Sequence, residues 1–398
     1  MYPQSVCSED FFLIGFQAKE QAYCLTINTD DITANLGSDM IIKKIYILLL
    51  VMISYNIRAE EMRALWMPSW DLESRESISS IIAQAANADF NTVLVEVRFR
   101  SDTFYTPNLE NCEFPNPDSA SLLLKEDFDA LQYIIDLCDV FDLEVYAWLT
   151  MYVATTNDLA KCTLNNPWYR APHWITTNVD FEKMPVTEKE GSYLDPGLPE
   201  VQKYLYNVVM DVATNYDIAG IQLDYIRYPG SLWGYHAESF ARYQKEVRKP
   251  SPANWQKWRC EQVTNLVKKI RRGLKSHAPE VELTVAVVSD PEKAKQEYNQ
   301  DWLLWLRKGY VMRVFPMNYH VSDPLYQKAV DKIVKYGYEH RTVMGIRAWS
   351  NSPEYSAVDI NSKINYSWKK GIYSYALFSS TGLNKGKYWE NLNIRKSR

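Results

Sequence analysis

From Met62 onward, short apolar runs alternate with stretches whose apolar residues recur every three or four positions. The first run is Arg63–Trp70, and a helix is predicted after it from Ile78, Ile81, Ile82 and Ala85. Thr92–Phe99 is the second strand-like run; its helix carries Phe128, Leu131, Ile134, Ile135, Cys138 and Phe141. Glu144–Met151 comes third, with a helix through Val201, Leu205, Val208, Val209 and Val212. Ile218–Tyr228 is fourth, ahead of a long helix from about Pro252 to Ser276. Four more runs follow: Glu282–Ser289, Met312–Tyr319, Thr342–Trp349 and Ile372–Ser379.

Eight strand–helix units in this length predict an α/β protein of the (β/α)₈ TIM barrel type. An open doubly wound sheet is the competing architecture, but neither GxGxxG nor GxxxxGK[ST] occurs. In a barrel, function belongs to the loops that follow the strands. Two of these are long: residues 152–194 after the third strand and 229–251 after the fourth. The first is rich in Pro, Asn, Thr and aromatics, as a lid or cleft wall would be.

The chain opens differently. Met40–Lys44 is a short basic start, Ile45–Tyr55 is apolar, and Ala59 closes the segment. That is the layout of a signal peptide over residues 40–59, so the protein is expected to be secreted or periplasmic, with no membrane span after cleavage. Residues 1–39 then read as an over-extended N-terminus, and 60–398 as the barrel. Cys138 and Cys260 fall in helical patterns and are expected to be small buried residues. Cys112 and Cys162 fall in loops, where an oxidising compartment would let them pair.

Composition narrows the function. Lys and Arg number 44 against 49 Asp and Glu, without a dense basic run, which argues against nucleic acid as a partner. The 13 Trp, 28 Tyr and 13 Phe suit a cleft that stacks flat sugar faces, although a packed core also uses them. Five scattered His and no CxxC give no metal site, and no cofactor motif is present. The same scatter argues against a metal-dependent deacetylase, and the lack of GxSxG against a serine hydrolase.

Asp224 is the leading candidate for chemistry. By the period of two, Gly220, Gln222 and Asp224 share one strand face and Ile221 and Leu223 the other. A carboxylate late in a barrel strand is placed for catalysis; the structural alternative is an ion pair with Arg227 or Arg98. Glu96 and Arg98 share a face of the second strand and are expected inside the barrel, as catalytic groups or as a buried pair. Asp102, Tyr105, Trp148, Asp290, Asn318, Tyr319 and Trp349 fall at strand ends or just beyond. Glycoside hydrolysis needs two carboxyls. Asp224 is the expected nucleophile or base, and the partner acid is Asp102, Glu96 or Asp290, in that order. Arg98, Tyr105, Trp148, Tyr225, Arg227, Asn318, Tyr319 and Trp349 are the expected substrate-binding set.

Several of these strings are familiar in this order. Arg63–Trp66, Glu96–Arg98 with Asp102 and Tyr105, Tyr146–Leu149, Leu194–Gly197, Gly220–Pro229, Trp233–Tyr235, Trp258–Val263 and Pro316–Tyr319 resemble the glycosyl hydrolase-like 10 family. The resemblance implies an exported TIM-barrel glycosidase acting on polysaccharide, in some relatives on peptidoglycan glycan strands lacking peptides. The family pattern commonly has Gln at the position of Glu96, so the resemblance leaves the second carboxylate open. The fourth strand is also similar to the family 18 chitinase signature ending in Asp-x-Glu. Asp224 matches its Asp, but Ile226 takes the Glu place, which disfavours a substrate-assisted mechanism. The alternative to an enzyme is a non-catalytic carbohydrate-binding barrel.

Overall fold

Alternation of small or polar inward residues with branched outward ones lets eight strands close on themselves. The structure, a computed structural model, describes residues 61–110, 112–349 and 355–392. The strands are β1 (Arg63–Met67), β2 (Thr92–Phe99), β3 (Glu144–Thr150), β4 (Gly220–Asp224), β5 (Glu282–Val288), β6 (Arg313–Asn318), β7 (Val343–Arg347) and β8 (Ser374–Phe378). Each pairs in parallel with the next, and β1 pairs with both β8 and β2, so the sheet is a closed (β/α)₈ barrel. The expected strands all form, mostly trimmed by one to four residues at an end. The long loops after β3 and β4 sit at the C-terminal rim.

The principal helices are α1 (Arg75–Asn87), α2 (Ala130–Phe141), α3 (Pro199–Asn215), α4 (Pro252–His277), α5 (Trp302–Arg307), α6 (Asp323–Val334), α7 (Ala357–Lys369) and α8 (Ser380–Gly386). Their starts follow capping rules. Ser74, Asp129 and Ser251 each accept an amide hydrogen bond from the first turn of α1, α2 and α4. Apolar stripes such as Ile78, Ile81, Ile82 and Ala85 bury against the outer face of the sheet. Inside, Ala64, Trp66, Leu94, Tyr146, Trp148, Phe315, Val343 and Ala376 fill the barrel as a separate apolar cluster. Gly220 is required here, since a Cβ would stand 2.3 Å from the Tyr146 ring.

The loop after β3 is knitted rather than free. Val153 bridges Tyr193, Ile175 bridges Leu194 and Thr177 bridges Lys183, all antiparallel. The loop after β4 contains a helix, Ala237–Glu246. Cys138, Cys162 and Cys260 are buried and Cys112 is exposed, all as free thiols, so the pairing open to Cys112 and Cys162 is not made. No helix among the described residues is long and apolar enough to cross a membrane. The expected signal peptide and over-extended start lie outside the described residues.

Candidate active site

Strand register brings the chemistry together. Glu96 on β2 lies opposite Trp148 on β3, which lies opposite Gln222 on β4. Asp224 stands one inward step higher, opposite Thr150. Trp66 donates its indole N–H to Gln222 Oε1 at 2.6 Å and braces this row from across the barrel. Trp148 donates to Asp224 Oδ2 at 3.2 Å. The row therefore carries two nearly buried carboxyls with an indole between them.

Their environments separate their proton affinities. Burial pushes the Glu96 carboxyl up to about 8; the Ser69 amide, 3.0 Å from Oε2, and the Arg100 charge pull it back, while the Asp224 charge adds to the rise. Burial also lifts Asp224, but only to about 6, because the Tyr225 amide at 2.6 Å, the Arg227 charge and Trp148 favour its ionised form. At neutral pH one carboxyl holds its proton and its neighbour has lost it. A proton donor and a carboxylate at one barrel mouth are the two groups that glycoside hydrolysis uses.

Aromatic rings wall this mouth. Phe378, at the end of β8, meets Trp148 at 6.1 Å, Tyr319 at 5.5 Å and Trp349 at 5.7 Å between ring centres. Burial and the Asp224 charge hold the Tyr319 phenol well above its ordinary range. Trp70 stands half in solvent, edge-on to Phe99 at 6.4 Å, and offers a ring face for stacking. From the loop after β3, Glu190 accepts two contacts from Arg227, at 2.9 and 3.0 Å, and the Tyr193 hydroxyl. Arg227 is buried, so it acts on Asp224 by its charge and ties the loop to the end of β4. Tyr225 packs against both Tyr193 and Arg227.

Five expected site residues lie elsewhere. A bulge between Glu96 and Arg98 breaks the period of two, so Arg98 aligns with outward-facing Leu149. Arg98 pairs with Asp118 at 2.8 Å and Tyr204 at 2.8 Å in a fully buried cluster, not with Glu96 or Asp224. Asp102 belongs to the same neighbourhood. It accepts from Thr163 at 2.6 Å, and burial with the Asp118 charge lifts it to about 7. Tyr105 is buried edge-on against Tyr216 and its hydroxyl accepts from Asn116. Asp290 caps the helix Pro291–Tyr298 and binds Lys332 at 2.9 Å. Partial burial opposes its charge, but Lys332 and the cap amides outweigh that and hold it below the usual carboxylate range, which is wrong for an acid. Asn318 aligns with outward-facing Ile346 and donates to the Tyr326 carbonyl at 3.1 Å, behind the sheet.

Sequence reasoning missed Glu190, Phe378, Trp70 and Arg100. Phe378 was accessible from the inward period of the eighth strand. Glu190 sits in a Glu-Lys-Glu stretch of an irregular loop, where no period marks it.

A closed parallel barrel with carboxyls and aromatics gathered where its strands end defines a glycosidase-like protein. The chain belongs to the glycosyl hydrolase-like 10 family, whose model matches residues 61–369. Glycosyl hydrolase YngK of Bacillus subtilis is 24% identical over 57% of this chain and 44% of its own length. Glycosyl hydrolase DigH of Escherichia coli K12 is 26% identical over 48% of this chain and 46% of its own. The matches thus span about half the length of these relatives. Among solved structures, the glycoside hydrolase domain of PgaB (BpsB) from Bordetella bronchiseptica shares the fold at a TM-score of 0.67 and 11% identity, over 85% of this chain and 99% of that one. The catalytic domain of β-amylase from Paenibacillus polymyxa does so at 0.58 and 10% identity, over 85% and 98%.

Proposed function

We propose that this protein is an exported glycoside hydrolase that cleaves O-glycosidic bonds in a polysaccharide, with Glu96 as general acid and Asp224 as nucleophile or base. The carrying observation is the pair of buried carboxyls on β2 and β4 whose surroundings leave one protonated and the other ionised near neutrality. In the first step Glu96 gives its proton to the glycosidic oxygen as the C1–O bond breaks. Asp224 meets the oxocarbenium-like C1, directly or through a water that it deprotonates. Glu96 then recovers a proton, from the water that hydrolyses a glycosyl-enzyme or from solvent. Trp148 steers the Asp224 carboxylate, and Trp70, Tyr319 and Trp349 receive sugar faces. Peptide-free glycan strands of peptidoglycan are the substrate we favour, consistent with the resemblance and with the signal-like segment.

The test is digestion of a glycan panel that includes those strands, with products read by mass spectrometry. Asp224→Asn is expected to lower turnover by about 10²–10⁴-fold while the near-ultraviolet circular dichroism is unchanged. Full activity in that variant removes Asp224 from the reaction. Binding of glycans by the wild-type protein without any product over long incubation would instead leave a carbohydrate-binding barrel.

A further inference from the structure

We propose that Arg100 reads a carboxylate carried by the bound sugar, and so sets the preference of this site for acidic glycans. This rests on the site assigned above, and concerns what that site holds rather than whether it hydrolyses.

Arg100 follows β2 directly, and the chain leaves the strand there in an unusual way. Arg100 and Ser101 both take left-handed backbone angles, with φ of +54° and +70°, although neither is glycine. Such angles cost energy and persist only where the surroundings enforce them. Here the Arg100 amide donates to Thr150 Oγ1 at 2.9 Å, and its carbonyl accepts from Asn166 at 3.0 Å. The end of β3 and the long loop thus hold the residue from both sides. Its guanidinium lies over the Phe99 ring at 4.7 Å, and its charge acts on Glu96 and Tyr225. The side chain therefore stands at the mouth, whereas that of Arg98, two residues earlier, is turned behind the sheet.

Of the other arginines near the mouth, Arg227 holds Glu190, and Arg347 lies over Trp349 and donates to its carbonyl; Arg98, behind the sheet, holds Asp118, which Arg170 also reaches. Arg100 makes no ion pair among the described residues, and its Nε is enclosed without an acceptor. The residue as a whole is only part-buried, so the remaining guanidinium N–H groups are the ones left to meet an anion that arrives with the ligand. Its flat fork of donors matches a carboxylate with two parallel hydrogen bonds. Phe99 fixes the plane of the fork, and Trp70, edge-on to Phe99, offers the adjacent ring face. A uronic acid and a sugar bearing a lactyl ether are two sugars that carry a carboxylate.

Calorimetry on the full chain in an Asp224→Asn background tests this without requiring turnover. The probes are uronate oligosaccharides, lactyl-bearing amino-sugar oligosaccharides, and each of these with its carboxyls reduced to alcohols. At least one acidic probe is expected to bind about 10–100-fold more tightly than its reduced form, as charged hydrogen bonds allow. Adding Arg100→Met should erase that margin and leave affinity for the reduced probe unchanged, while Arg100→Lys retains part of it. Equal binding of acidic and reduced probes, equal weakening of both by Arg100→Met, or no binding of either kind overturns the assignment. Acid-selective binding that depends on Arg100, in a wild-type protein that releases no product, supports the carboxylate anchor and sinks only the hydrolase reading.

Discussion

Glu96 shows how one residue acquires a function from its surroundings. An ordinary Glu is ionised at neutral pH; burial on an inward position, with Asp224 nearby, keeps this one protonated. Asp224 is equally enclosed but better supplied with donors and a cation, so it ionises first. The kcat/KM profile is therefore expected to be bell-shaped, rising as Asp224 loses its proton near pH 6 and falling as Glu96 loses its own near pH 8. A flat profile across that interval would separate these two groups from the reaction. Stability follows the same group with a definite sign. The folded state binds the Glu96 proton more tightly than the unfolded chain, so its stabilising effect is complete at acidic pH and is lost as pH climbs toward about 8. Glu96→Gln keeps an acceptor for the Ser69 amide and removes the charge. Its Tm at pH 8 should exceed that of the wild type by a few degrees, even as glycan turnover falls, and an equal or lower Tm contradicts this account.

At the scale of elements, β2 is where sequence and structure part company. Its limits, Thr92–Phe99, were legible in the run of Val and Leu, and so was Glu96 on an inward face. The bulge was not, because nothing in Val-Glu-Val-Arg signals an extra residue. One inserted position moved Arg98 from the lumen to the helix side and took Asp102 and Tyr105 with it. Asn318 failed for a simpler reason: its parity follows Val314, not Phe315, and the residue after it is the one that reaches the mouth. The Arg98–Asp118 pair that secures the bulge has both side chains fully buried. Asp118→Ala leaves that guanidinium charged and unmatched in the interior, and should cost about 3–5 kcal/mol in urea unfolding. A loss below about 1 kcal/mol would show that the loop is held by other contacts.

At the scale of the molecule, the eightfold alternation was legible because every barrel strand obeys the same burial pattern. What the sequence could not show was closure itself, which depends on β1 pairing with both β2 and β8. The family match ends at residue 369, ahead of β8, yet β8 supplies Phe378 and one of the two ladders that hold β1. A chain stopped after residue 371 should lose its cooperative thermal transition, followed by near-ultraviolet circular dichroism. A sharp transition in that fragment would mean that the remaining strands close without it. The irregular exit from β2 also has a bearing on how such a protein diversifies. Because one extra residue separates the lumen half of the strand from its continuation, changes on the near side alter reactivity and changes on the far side alter which sugars are admitted. The two sides stay linked by charge, because Arg100 on the far side lowers the proton affinity of Glu96 on the near side.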